Sequence, residues 1–546
     1  MKRVSFTSLL LSFSIVCFTQ KTALPVISSP RFNKDTVSIK KFGAVADGYS
    51  LNTKAINEAI TTLSKKGGGV VLIPSGLWVT GPVVLKSNVN LHLVSGATLL
   101  FTKDLNEYPL VKANWEGLPQ MRNQSPISAT DAINIAITGK GIIDGNGDAW
   151  RMVKKDKLNE SQWKKLLAGG GVLSDDKKTW YPSEKSLKGS KMQNPGVISA
   201  EKDEAFYQEI KDFLRPNLLL LTNCRKILLE GVIFQNSPAW CLHPLMCDQL
   251  TVRNITVKNP WYAQNGDGID VESCKNVLIE NSVFDVGDDA LCMKSGRDAE
   301  GRKRGKPTEN VIIRNCTVYA AHGGFVIGSE MSGGVKNIHV SNCTFIGTDI
   351  GLRFKTTRGR GGVVENIFIR DINMKDIPGE AILFDMYYAA KDPVPLAGEK
   401  RELPKVEFKA VDETTPVFKN FHISNVYCNG AEKAIFIRGL PEMHVNGIVL
   451  ENMVLQARKG IDIQEASNIT LKNIHIISAE TDPVIDIVQS DKLVFDNIRY
   501  KNAAELLFRI SGERSNSINI KNTDGSKAKE RIVYELGASE KAITIK

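Results

Sequence analysis

Along most of the chain, apolar and polar residues alternate with period two, break at one residue, and alternate again. Segments such as Leu250-Thr-Val-Arg-Asn-Ile-Thr-Val257, Val311-Ile-Ile-Arg-Asn-Cys-Thr-Val318, Ile338-His-Val-Ser-Asn-Cys-Thr-Phe345 and Ile469-Thr-Leu-Lys-Asn-Ile-His-Ile476 share one template. The break falls at Gly231, Asn254, Asn281, Asn315, Asn342, Asp371, Asn425, Asn452, Asn473 and Asn497. Period two on both sides predicts two short strands, each with one buried face. Asn, Asp and Gly tolerate the left-handed backbone conformation, so the break predicts a one-residue corner. Most repeats are 21 to 29 residues long with no helical period between them. The pattern predicts an all-β fold, a right-handed parallel β-helix whose coils stack at ~4.8 Å. A leucine-rich repeat needs a different consensus, and a propeller needs longer units.

The exceptions to the pattern are informative. From Asn52 to Lys66 the apolar residues Ala55, Ile56, Ala59, Ile60 and Leu63 share one helical face. A helix capped by Asn52 or Thr53 is expected to plug the open end of the coil. Residues 152–215 are polar and lack the repeat, an inserted excursion with one helix near Ser161–Leu167. Loops at Arg297–Pro307 and Ala389–Pro416 are further insertions. After Asn497 the repeat fades, leaving 501–546 as a C-terminal end.

Lys2 and Arg3 precede the apolar run Val4 to Phe18, which predicts a signal peptide over residues 1–19. Residues before Cys17 fit a lipid-attachment site poorly. Residues 20–546 are then a single β-helix domain, exported to the periplasm or outside the cell and expected to be a monomer. No later apolar run reaches the ~20 residues a membrane span needs. Hydrophobic residues at 42% and charged residues at 24% exclude a mostly disordered chain. The net charge of +10 favours anionic partners but, over 546 residues, is no nucleic-acid footprint. Cys224, Cys247 and Cys274 occupy equivalent repeat positions, as do Cys316 and Cys343, which predicts stacked buried thiols rather than disulfides.

Each central coil carries a third strand: Gly268–Glu272, Ala290–Lys294, Gly324–Gly328, Gly351–Lys355 and Ala381–Asp385. Asp270 and Arg353 share one outward column; Glu272, Lys294, Lys355 and Asp385 share the next. The turns before these strands read Asn265-Gly-Asp267, Gly287-Asp-Asp289 and Ala321-His-Gly323. In register, Asp267 stacks on Asp289 and Asp288 on His322, all within ~10 Å. Clustered carboxylates repel one another, which raises at least one pKa and separates an acid from a base. One such Asp is usually a turn former. Three in adjacent coils, with His322 and the alternating Arg353 and Lys355, point to chemistry. Three Asp could also hold Ca²⁺, but a histidine and two cations argue against a metal. Among the other histidines only His243 stands out.

This ordered set resembles the four motifs of glycoside hydrolase family 28, the polygalacturonases. Phe42-Gly-Ala-Val-Ala-Asp-Gly48, Gly141 to Trp150 and Asn236-Ser-Pro-Ala-Trp240 are similar to further family segments. The departures are Gly266 where the family has Thr, Phe354 where it has Ile, and Ala321 before the histidine. The resemblance implies inverting hydrolysis of α-1,4 galacturonosyl bonds in an acidic polysaccharide, without a cofactor. Asp288 would be the general acid, Asp267 and Asp289 would hold and activate water, and His322 would tune the acid. Arg353, Lys355 and Asn265 would bind substrate, with a carboxylate on the two cations. The alternatives are a Ca²⁺-dependent polysaccharide lyase on the same fold and a non-catalytic glycan-binding β-helix. The excursion, with Trp163, Trp180 and Tyr181, is expected to wall off one end of the groove and make the enzyme exo-acting.

Overall fold

The structure is a computed structural model that describes residues 25–390, 407–501 and 503–546. The expected signal peptide and most of the Ala389–Pro416 insertion lie outside the described residues. The repeat folds as its alternation dictates, into a right-handed parallel β-helix. Equivalent residues stack coil on coil: Leu250 pairs with Val277, then Val311, Ile338, Ile367, Phe421, Ile448, Ile469 and Leu493 in turn. All of these are buried. The core is therefore a set of apolar columns, with Phe354 packed 4.5 Å from Phe384. Each corner residue has the expected positive φ, from 81° at Gly231 to 51° at Asn281. The corner asparagines also bond to one another across coils, Asn342 to Asn315 at 2.8 Å and Asn315 to Asn281 at 3.0 Å. These amides form a ladder along the exposed corner of the coil. All eight described cysteines are buried and free.

Helix α1 (Thr53–Lys65) covers the first coil with the five apolar residues named above. Asn52 does not cap it by its side chain; the amide instead ties Val45, Ser50 and Val79 together. The coil stack also runs further than the sequence repeat. Strands Ala504–Ser511, Ile518–Lys521, Ala528–Glu535 and Ile543–Ile545 continue the parallel pairing.

The excursion is richer than one helix. It holds α2 (Glu160–Ala168), α3 (Glu184–Ser190), α4 (Glu204–Glu209) and a three-stranded antiparallel sheet. Asn159 and Gln162 form a reciprocal cap at the start of α2. Val153, Trp163 and Trp180 form a cluster separate from the main core. An unexpected hairpin, Leu110–Trp115 with Leu118–Asn123, leaves the coil earlier and docks on the excursion through Met121 and Gly196. The Arg297–Pro307 loop contains a fifth helix, α5 (Asp298–Arg304).

Candidate active site

The strands Ile269–Glu272, Leu291–Lys294, Phe325–Ile327 and Leu352–Lys355 pair in parallel, with Asp270, Cys292, Val326 and Arg353 in one outward row. This register places the turns before them one above the next. Gly268 N donates to Asp289 O at 2.9 Å, and His322 N donates to Asp288 O at 3.1 Å. Asp267, Asp288 and Asp289 each bring one oxygen within 4.8 Å of the others. Gly266 is explained locally, because a Cβ there would lie 2.7 Å from Ala263 Cβ.

The carboxylates live in different surroundings. Asp289 is buried, and its oxygens accept from Arg353 Nη1 at 3.1 Å and Lys355 Nζ at 2.7 Å. Burial alone would raise its pKa, but Lys355, Arg353 and Lys294 reverse this and hold it well below the usual carboxylate range. Asp267 is also buried and has no such cation pair. Burial first, then the charges of Asp270, Asp288 and Asp289, push it well above that range. Asp288 is partly exposed and sits 3.3 Å from His322 Nδ1. The bond to Asp288 raises the His322 pKa, against an opposing effect of burial, with Asp289 and Asp349 adding to the rise.

The three candidate substrate-binding residues are also engaged within the protein. Arg353 and Lys355 do leave the outer face of the sheet, but they are not free surface cations. The Arg353 and Lys355 side chains are only 15% and 7% exposed, are paired to Asp289, and lie under the ring of Tyr388. Asn265 lines the cleft, but its Oδ1 accepts from Arg215 Nη2 at 2.8 Å. The sequence pattern did not single out Tyr388 or Arg215, because neither repeats. His243 is fully buried, bonded to Glu272 at 2.9 Å and packed on Trp240, and is a wall residue rather than a cleft residue.

Above the carboxylates lies a cleft of about 350 Å³, walled by Met152, Lys154 and Lys157 of the excursion and by Trp261. Two larger grooves, of about 820 and 550 Å³, lie elsewhere and are lined by no histidine. The three carboxylates are also a donor set for a hard cation. The residues fit a metal poorly, because Arg353 and Lys355 already occupy both oxygens of Asp289.

A parallel β-helix with an acid–imidazole pair beside a pinned carboxylate defines a class of glycan-cleaving protein, and the comparisons agree. The sequence pattern of "Glycosyl hydrolases family 28" matches residues 201–425. The chain is 31% identical to a solved hyperthermoactive exopolygalacturonase from Thermotoga maritima, with a TM-score of 0.65, over 82% of this chain and 93% of that one. It is 30% identical to an exo-poly-alpha-D-galacturonosidase of Dickeya chrysanthemi over 68% of this chain and 59% of that protein. It is 28% identical to a probable polygalacturonase of Vitis vinifera, over 77% and 74%. The chain belongs to glycosyl hydrolase family 28 and is a glycoside hydrolase.

Proposed function

We propose that the enzyme hydrolyses the α-1,4 bonds of polygalacturonate and removes galacturonic acid from the non-reducing end. The observation that carries this reading is the pairing of Asp288–His322 against Asp289–Arg353–Lys355 in one walled cleft. Asp288 protonates the glycosidic oxygen. His322 lies against it and returns the proton. Asp289, held ionised by its cations, orients and deprotonates the attacking water, with Asp267 beside it. Arg353, which lines the cleft, receives a sugar carboxylate, with Lys355 behind it. Inversion requires water between acid and base, and carboxyl groups ~6.5–9.5 Å apart leave room for it. The nearest oxygens of Asp267, Asp288 and Asp289 lie within 4.8 Å of one another, and substrate binding must leave the water room between Asp288 and Asp289.

Hydrolysis is favoured over elimination by the relatives, and also because the donor set a lyase would give to Ca²⁺ is taken by cations. Exo attack is supported by the excursion and hairpin that close the groove beside Asn265. The test is a time course on long polygalacturonate, with the product anomer read by NMR. Monosaccharide from the first time point, slow loss of viscosity and an inverted anomer are expected. Early mid-length oligomers with a rapid viscosity drop would overturn the exo mode.

A further inference from the structure

A second cavity, of about 140 Å³, opens beside the cleft and shares Met152, Gln264 and Asn265 with it. Its lining includes Glu116, Arg122 and Arg215. Arg122 and Arg215 are only 6% and 8% exposed. The hydrogen bonds they make go to neutral oxygens. Arg122 bonds the carbonyl of Arg215, and its Nε has no protein partner. Arg215 bonds the carbonyls of Pro238 and Gln264 and the amide of Asn265. The Arg122 guanidinium also stacks 4.2 Å from the Trp115 ring. Glu116 lies in the same pocket but makes its ion pair with Arg297, at 3.4 Å. Burial pushes Arg122 to about 9 and Arg215 to about 10.

Two neighbouring guanidiniums buried without a paired carboxylate carry a large desolvation penalty that an anionic guest would offset. Their place in the fold says which anion. Arg215 precedes the strand Leu219–Thr222, two coils before Ile269–Glu272, whereas Arg353 and Lys355 come three coils after it. The two cationic sites therefore flank the Asp cluster on opposite sides along the helix axis. The cavity is small and lined by both the hairpin and the excursion, which suits the end of a chain rather than its middle.

We propose that Arg122 and Arg215 receive the carboxylate of the sugar at the non-reducing end, opposite the carboxylate held by Arg353 and Lys355. This assignment rests on the chain-end reading above. It makes Arg122 a specificity-determining residue, since its planar fork matches a carboxylate and a neutral ester leaves it unpaired.

The test compares kcat/KM for digalacturonate with that for the same disaccharide methyl-esterified only on its non-reducing residue. The ratio is measured within each full-length variant, so it is independent of how much protein folds. Wild type should strongly favour the free acid. Arg122→Gln should lower that ratio about tenfold, as expected for loss of one charged hydrogen bond, and Arg122→Lys should restore part of it. An unchanged ratio in Arg122→Gln, or a wild type indifferent to the ester, would overturn the assignment. The polygalacturonate time course reads the exo mode separately: monosaccharide release with an unchanged ratio rejects the receptor alone.

Discussion

The floor of the active site and the wall around it are built in opposite ways. The floor is four coils in which every reacting side chain is set by parallel register, one residue opposite its equivalent. The wall is the excursion and hairpin, an antiparallel and helical patch held by small clusters apart from the main core. Trp115 and Trp240, stacked at 4.7 Å, join the two. The contrast divides the work. Chemistry sits where the backbone ladder fixes geometry, and selection of the chain end sits where sequence can vary without disturbing that ladder.

The sharpest way to break the floor is Asp288→Asn. The side chain is partly exposed, and an amide oxygen can still accept from Asp289 N, so melting should be near wild type. Turnover should fall by ~10²–10⁴, the worth of a general acid. Normal turnover in a folded variant would remove Asp288 from the mechanism.

Asp289→Asn tests the buried half of the same floor. It strands Lys355 and Arg353 without their counter-ion, and breaking a buried pair from one side destabilises by about 3–5 kcal/mol. A clear drop in melting temperature together with lost activity is expected, in contrast to Asp288→Asn. The pH behaviour follows from the same shift. Because the folded pKa of Asp289 is depressed, its stabilisation is present above the unfolded value of ~3.9 and is lost as pH falls through the lower folded value. Denaturation midpoints that stay level down through pH 3.9 in Asp289→Asn but fall in wild type would match this.

The sequence made the floor legible because its signal repeats. Asp267, Asp288, Asp289 and His322 could be aligned by counting back from the third strands that begin at Gly268, Ala290 and Gly324. The same count placed Arg353 and Lys355 in their columns. It could not say that both are covered, because Tyr388 and Asp289 come from other turns. Arg122 and Arg215 were invisible for a deeper reason. They lie far apart in sequence, in segments without period, and only the docking of hairpin on excursion brings them together. The extra helices α3 and α4 share that difficulty, being short and packed locally. The coils after Asn497 were missed because they lack the full template, although Ile518-Asn-Ile-Lys521 still alternates.

His322→Gln should have a smaller effect than either carboxylate change, and one seen chiefly in the pH profile. The His322 pKa is raised above its ordinary ~6.5, so the imidazolium beside Asp288 is fully present below that value and is lost as pH rises through the higher folded value. The alkaline limb of kcat against pH should lie above 6.5 in wild type and vanish, at reduced rate, in the variant. An unaltered limb would mean that another group sets it.

The wall is tested by Trp163→Ala, and here the effect on chemistry should be smallest. Trp163 packs with Val153 and Trp180, and Tyr262 on the rim of the cleft touches the same cluster. Removing a buried Trp typically costs about 3–5 kcal/mol in a core. This cluster is detached from the coil columns, so the loss should loosen the excursion locally and leave the main melting transition in place. Turnover of digalacturonate, whose two sugars reach the floor and the cavity of Arg122 and Arg215 but not Trp163, should stay near wild type. Long polygalacturonate should behave differently, because a loosened wall lets a chain pass the point where it now ends. The fraction of early products longer than the monosaccharide should rise, and viscosity should fall faster than in wild type at equal bond cleavage. A variant that still releases only monosaccharide, with the excursion shown by proteolysis to be loosened, would place the barrier in the hairpin around Trp115 instead of in the excursion.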